Sequence, residues 1–221
     1  LKRKGITKTQ IQLLEFVQGD LDSSADLFEV TKSVQCVFHC AALISFDSRD
    51  RKQLFKINSN GTRDLVNAAI ENKVSKFIYI SSIAAMEQEQ QTDYGKSKQL
   101  GELEVWRASQ EGMQTFIIRP GVILGSVPYT HPLRQLVRSV QNGISYRFPG
   151  SSGFIHIKTV VDCLLQLYRT ESSIQHPLTL VSTNKSYNDV IEIINANLKR
   201  PAAKKEISKK WLIMLSSIIE N

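Results

Sequence analysis

Short apolar runs alternate with amphipathic stretches along most of the chain. The first run, Leu13-Leu14-Glu15-Phe16-Val17, predicts a strand that stops at Gln18-Gly19-Asp20-Leu21. A helix follows, with Asp22 or Ser23 suited to its N-cap and Leu27, Phe28 and Val30 apolar. Val37-Phe38-His39-Cys40-Ala41-Ala42 predicts a second strand running into small residues. Residues 58–72 carry Leu65, Val66, Ala69 and Ile70 at helical spacing. The run at residues 76–80 ends in Ser81-Ser82 and reads as a buried parallel strand. Residues 92–111 then read as a helix, and residues 114–118 as a fourth strand ending at Arg119-Pro120-Gly121.

Beyond Pro120 the pattern loosens. It predicts helices over 129–142, 159–169 and 186–198 and short strands over 154–157 and 179–181. An amphipathic helix over 211–219 closes the chain. Strands alternating with helices at this spacing imply an α/β fold, a doubly wound parallel sheet with helices on both faces. Ligands of such sheets bind outside the carboxyl ends of the strands. Gly19-Asp20, His39 to Ala42, Ser81-Ser82 and Pro120-Gly121 all fall at such ends.

One of those ends carries chemistry. Tyr94 and Lys98 are four apart, so on a helix they share a face. A free phenol, with a pKa of about 10, is a poor base at neutral pH, and a nearby ammonium favours its ionised form. A serine hydroxyl at the strand end can hydrogen-bond a carbonyl or alcohol oxygen. The pair alone occurs by chance in many helices, so its surroundings decide its meaning. Asp20 suits an adenine amine or ribose, and equally a helix N-cap. Ala41 and Ala42 admit a ligand close to the backbone, and equally serve tight packing. Asn58 suits a helix start or a buried amide bridging two strands. His156 is read as a hydrogen-bonded core histidine in preference to an acid–base residue.

Composition narrows the class. A chain of 221 residues, 42% hydrophobic and 22% charged, suits one or two globular domains. The net charge of +7 gathers at Leu1-Lys2-Arg3-Lys4 and at Lys204-Lys205 with Lys209-Lys210. No stacking motif or zinc spacing accompanies it, so an anionic cofactor explains the basic clusters better than nucleic acid does. Three cysteines, Cys36, Cys40 and Cys163, suggest reduced thiols and a cytoplasmic location, with Cys36 and Cys40 in the core. No stretch approaches the roughly 20 apolar residues of a membrane span. The apolar segment from Trp211 beside Lys209 and Lys210 suits peripheral membrane docking, although a helix closing the second domain is the preferred reading. The chain opens on Leu1 and closes just after an apolar segment, and both ends read as cut.

Gly19-Asp20-Leu21, Val37 to Ala42, Asn58-Ser59-Asn60-Gly61-Thr62, Tyr79 to Ser82, Tyr94 with Lys98, Arg119 to Ile123 and Phe154-Ile155-His156-Ile157 occur in one order. In that order the chain resembles the extended short-chain dehydrogenase/reductase superfamily, in its 3β-hydroxysteroid dehydrogenase and dihydroflavonol reductase branch. The resemblance implies a Rossmann-type dinucleotide-binding domain over residues 1–120 and 154–182, and a small substrate domain over 121–153 and 183–221. It implies Tyr94 as general acid–base, Lys98 lowering its pKa and holding the nicotinamide ribose, and Ser82 on the substrate oxygen, with Ser81 second. Asp20 and Leu21 would flank adenine, Ala41 and Ala42 would line the phosphate and ribose path, and Pro120 and Val122 would lie near nicotinamide. It places Ile83, Met86, Leu124, Tyr129 and Phe148 around the substrate, and a homodimer interface on the helices of residues 58–72 and 92–111.

Two departures stand out. The family's glycine-rich turn, which receives the pyrophosphate at a helix N-terminus, does not occur, so the first βαβ unit is missing as the chain stands. Ser82 and Tyr94 are separated by 94 − 82 = 12 positions, where extended relatives carry a longer insertion. The leading expectation is an NADP-dependent oxidoreductase acting on a ketone or hydroxyl of a hydrophobic small molecule, steroid- or flavonoid-like. A non-catalytic scaffold and a nucleotide-sugar epimerase are the alternatives. NADP is favoured over NAD because Lys2, Arg3 and Lys4 fall where the family meets the adenosine 2′ position. An arginine there, with a lysine in support, holds a phosphate that an acid would repel.

Overall fold

The computed structural model describes residues 7–86, 89, 91–125, 132–142, 146–147, 149–172, 174–199 and 205–206. Its contacts divide the chain into two compact units: Leu1–Ile117 with Ser172–Gln175, and Ile118–Glu171 with His176–Asn221.

The first unit opens with a short helix, α1 (Lys8–Gln12), started by a capping box between Thr7 and Gln10. Residues 13–17 form no strand, contrary to their pattern. Leu13 is 82% and Phe16 73% exposed, because an apolar run forms a strand only where a neighbour pairs with it, and no described strand does. Helix α2 (Ser24–Thr31) starts at Ser23, whose hydroxyl accepts from the Asp26 N–H at 3.3 Å. Asp22 pairs instead with Lys56. Strand β1 (Cys36–His39) lies parallel to β2 (Lys76–Ile80), in register from Cys36 opposite Lys76 to His39 opposite Tyr79. Cys36 is half-buried and Cys40 exposed, so neither is the core thiol that its flanking strand suggested.

Between these strands the helical segment begins at Ser48, ten residues before the expected start (58 − 48 = 10). A 3₁₀ turn (Ser48–Asp50) leads into α3 (Arg51–Leu54), a π-helical stretch (Phe55–Gly61) and α4 (Thr62–Glu71). Such π-helical insertions are rare and cluster at functional sites. Helix α4 buries Leu65, Val66, Ala68 and Ala69 against Phe77 and Tyr79 of β2 and Val105 of helix α5 (Asp93–Gln110). Phe77, Ile78 and Tyr79 are all fully buried, as expected of a parallel strand covered on both faces. Each such side chain contributes roughly 1.5–3 kcal/mol on burial. Helix α5 ends where Gly112, at φ 94°, lets the Met113 N–H reach back to the Ala108 carbonyl at 3.1 Å.

Strand β3 (Gln114–Pro120) follows β2 in sheet order and crosses from the first unit into the second. In the second unit its end pairs in parallel with β7 (Leu178–Leu180). Strand β4 (Val122–Leu124) runs parallel to β6 (Ser151–His156), which pairs antiparallel with β8 (Thr183–Ser186). Two-residue strands β5 (Tyr146–Arg147) and β9 (Lys205–Glu206) also pair. Helices α6 (Pro132–Gln141), α7 (Ile157–Arg169) and α8 (Tyr187–Asn197) complete the unit, and Ser186 forms a capping box with Asp189. His156 is exposed and not a core residue. It is the N-cap of α7, its Nδ1 accepting from the Lys158 N–H at 3.2 Å. The helix expected over 211–219 lies outside the described residues.

Candidate active site

The first unit gathers the side chains that can move a proton. Helix α5 is polar on its inner face over three turns, burying Tyr94, Ser97, Lys98 and Glu102, and apolar only near its end, at Val105 and Ala108. A helix packed for stability alone would bury an apolar stripe. Thr92 caps this helix, its hydroxyl accepting from the Gly95 N–H at 3.1 Å. Gly95 packs on the turn after β2 so closely that a Cβ there would lie 2.2 Å from the Ala84 carbonyl oxygen. This approach brings the helix start to Ser82, whose hydroxyl accepts from the Ala84 N–H at 3.1 Å.

Burial raises the Tyr94 pKa above its ordinary value, and the nearby Ser82 hydroxyl offsets part of that rise. The twelve-residue spacing from Ser82 to Tyr94 is therefore enough to bring the two side chains near one another. The Phe46 ring packs edge-on against Tyr94 at 5.9 Å while remaining 74% exposed.

One turn along, Lys98 is 1% exposed and holds its ammonium 4.1 Å from the centre of the Tyr79 ring. Burial pulls its pKa down to about 7, against the charges of Glu102 and Cys40, which favour the ammonium. His39 stacks on Tyr79 at 5.3 Å and lies 2.9 Å from the Thr62 hydroxyl. Thr62 gives its proton to the Asn58 carbonyl at 2.7 Å, so it accepts from His39 Nε2–H. Burial, reinforced by Lys98, lowers the His39 pKa to about 3, and the ring is neutral at ordinary pH. Ser81 is turned away from Ser82 and donates to Glu102 at 2.5 Å.

Asn58 lies in the π-helical stretch with its side chain buried. Its Oδ1 accepts from the Leu43 N–H at 2.8 Å, and its Nδ2 donates to the Leu43 carbonyl and the Ser97 hydroxyl, each at 2.9 Å. It bridges the loop after β1 to α5 and is not a helix-start residue.

A separate open groove of about 500 Å³ brings Asp20, Leu21, His39, Cys40 and Ala41 together. Asp20 is not the N-cap of α2. Its carboxylate accepts from the Asp22 N–H at 3.1 Å, and both Ala41 and Ala42 are exposed. Pro120 is buried at the end of β3 and Val122 half-buried in β4, both in the second unit. Lys2, Arg3, Lys4, Tyr129, Phe148 and the lysines near the C-terminus at 204, 209 and 210 lie outside the described features. Sequence reasoning missed Phe46, Ser97 and Glu102. Positions 94, 97, 98, 101 and 102 share one helical face, and that spacing is the signal that could have found the last two.

The chain matches the model of the NAD dependent epimerase/dehydratase family over residues 2–188. It is 26% identical to sterol demethylase protein B of Methylococcus capsulatus over 165 residues, which are 67% of this chain and 50% of that protein. It is 30% identical to a putative dihydroflavonol 4-reductase of Synechocystis over 128 residues, 51% of this chain and 37% of that protein. The chain thus spans about half or less of the length of these relatives. The crystal structure of a dTDP-glucose 4,6-dehydratase from Streptomyces venezuelae with NAD bound superposes with a TM-score of 0.75 at 16% identity, covering 91% of this chain and 71% of that one. That likeness is one of fold, a Rossmann-like α/β arrangement with a parallel sheet.

Proposed function

The chain belongs to the NAD dependent epimerase/dehydratase family, and from that premise we propose that it acts as an NADP-dependent oxidoreductase on a hydroxyl or ketone of a hydrophobic, steroid- or flavonoid-like molecule. The observation that carries this reading is the burial of Tyr94 and Lys98 one turn apart on α5, with Ser82 near the phenol.

The residues present fit part of a dinucleotide. The groove that holds Asp20, Leu21 and Ala41 is lined largely by apolar side chains with two carboxylates, Asp20 and Asp26, which suits adenine and a ribose hydroxyl. Ala42 continues that path, and Lys98 is assigned to the ribose next to nicotinamide. Pro120 and Val122 are assigned to the nicotinamide, and Arg3 with Lys2 to the 2′-phosphate. A pyrophosphate cradle has no counterpart among the described residues. NADP, when bound, supplies a hydride donor or acceptor.

This chain's residues handle the proton. Ser82 donates to the substrate oxygen and fixes it beside Tyr94. Tyr94 takes the proton from an alcohol being oxidised, or gives one to a ketone being reduced. The raised phenol favours the protonated form, which suits reduction. Two relatives named for sterol and dihydroflavonol chemistry support a fused-ring substrate. Half-buried Ile83 and exposed Met86 offer it apolar surface beside Ser82.

The test is Tyr94→Phe, which removes only the hydroxyl. Reduction of a panel of steroid and flavonoid ketones with NADPH should fall by about 10²–10⁴-fold while NADPH binding is kept. Turnover near the native level would sink the mechanism. Binding of NADPH by the native chain with no turnover across the panel would favour a scaffold role instead.

A further inference from the structure

Glu102 has no part in the proton path above, yet it is 2% exposed. A carboxylate is rarely buried so deeply unless something pairs with it, because removing a lone charge from water costs several kcal/mol. One hydrogen bond and one neighbouring charge are in place. The Ser81 hydroxyl donates to Oε1 at 2.5 Å. Lys98 is four residues earlier on α5, hence one turn away on the same face, and is 1% exposed.

We propose that Glu102 is a positioning residue of this site: its buried carboxylate is the counter-charge that keeps Lys98 an ammonium, and the Ser81 hydroxyl ties that charge to the end of β2. The groups facing Lys98 leave this role to Glu102. From the end of β1 comes His39, which is neutral, and just after it Cys40, a thiol that is only weakly ionised at neutral pH. From β2 comes the Tyr79 ring, which attracts a cation through its face but carries no net charge, since burial raises its phenol further above the neutral range. From α5 itself come Tyr94, also a raised phenol, and Glu102. Glu102 is the largest of the influences that hold the Lys98 ammonium against burial. Ser81, next to Ser82, thereby has a purpose of its own. It neither contacts Tyr94 nor competes for the substrate oxygen, and it fixes the carboxylate rotamer.

The inference deepens the proposed role of Lys98, and its test is read on the resting protein without turnover, so its failure and that of the Tyr94 test are distinguishable. The chain is labelled with ¹³C-lysine and titrated by NMR, with the Lys98→Met variant identifying the resonance. In the native chain Lys98 should titrate near neutral pH. In Glu102→Gln, which keeps an acceptor for Ser81, the midpoint should fall by about one pH unit or more. Ser81→Ala should leave it within a few tenths of a unit, and Glu102→Asp should bring it back towards the native value. An unmoved midpoint in a folded Glu102→Gln chain overturns the proposal. If Glu102→Gln does not fold, the double variant Lys98→Met/Glu102→Gln decides. Recovery of the fold supports the charge pair, and failure equal to that of the single variant shows that Glu102 serves packing alone.

Discussion

Gly101 lies against the Tyr79 hydroxyl: a Cβ at position 101 would sit 2.4 Å from that oxygen and 2.8 Å from the Asn58 carbonyl. Helix α5, strand β2 and the π-helical stretch meet at this point, so the residue sets the depth at which α5, and Lys98 one turn earlier, is seated. Gly101→Ala should therefore destabilise the fold by about 1–3 kcal/mol despite the better helix propensity of alanine. Urea unfolding measures it. Adding Tyr79→Phe removes the nearer oxygen and should recover part of the loss. A Gly101→Ala chain as stable as the native one would mean that the helix can lift away without cost.

Lys98 makes stability depend on pH in an unusual direction. Its folded pKa is about 7, against 10.5 for an unconstrained lysine. Between those values the unfolded chain holds a proton that the folded chain lacks, so stability rises with pH through that window and is lowest below it. The slope from this one group approaches about 1.4 kcal/mol per pH unit. Urea unfolding at pH 7, 8 and 9 should show Lys98→Met with a flatter rise than the native chain. Equal slopes would show that the ammonium is not desolvated.

The proposed preference for NADP rests on the basic start of the chain. If Arg3 and Lys2 meet a 2′-phosphate, NADPH should bind more tightly than NADH, and raising the salt should erode the difference. Arg3→Ala should narrow the ratio of the two affinities by about tenfold, the loss of one charge-assisted hydrogen-bonding group. A preference for NADH that neither salt nor Arg3→Ala alters would remove these cations from the site.

A homodimer is proposed through α4 and α5, whose outward side chains include Leu100 and Leu103, 40% and 57% exposed. Sedimentation should give a dimer at micromolar concentration, and Leu103→Lys should shift it to monomer. A native chain that stays monomeric at high concentration removes this interface.

Strand β2, helix α5 and the shared face of Tyr94 and Lys98 were legible because each is written locally. Phe77 to Ile80 is an unbroken apolar run, Thr92 is a cap, and residues four apart share a helix face whatever surrounds them. Residues 13–17 misled because an apolar run states a preference that only a pairing partner can realise. The helix start at Ser48 was hidden, since residues 48–57 bury only Leu54 and show no apolar period. Glu102 and His156 were opaque for opposite reasons. A buried carboxylate and an exposed, capping histidine both depend on neighbours far along the chain or on backbone geometry at a helix start. Among the described residues no helix is long and apolar enough to cross a membrane, and Lys204 to Asn221 bear on membrane docking only in the sequence.

Asn58 offers Leu43 one acceptor and one donor, which is what a residue on an adjoining strand would offer. The chain past His39 has left the sheet, so a carboxamide stands in for a peptide group there. This surrogate rung extends the order of the sheet beyond its last backbone pair, into the loop that carries Ala41, Ala42 and Phe46. The shape of that loop is consequently encoded in the helix that follows it.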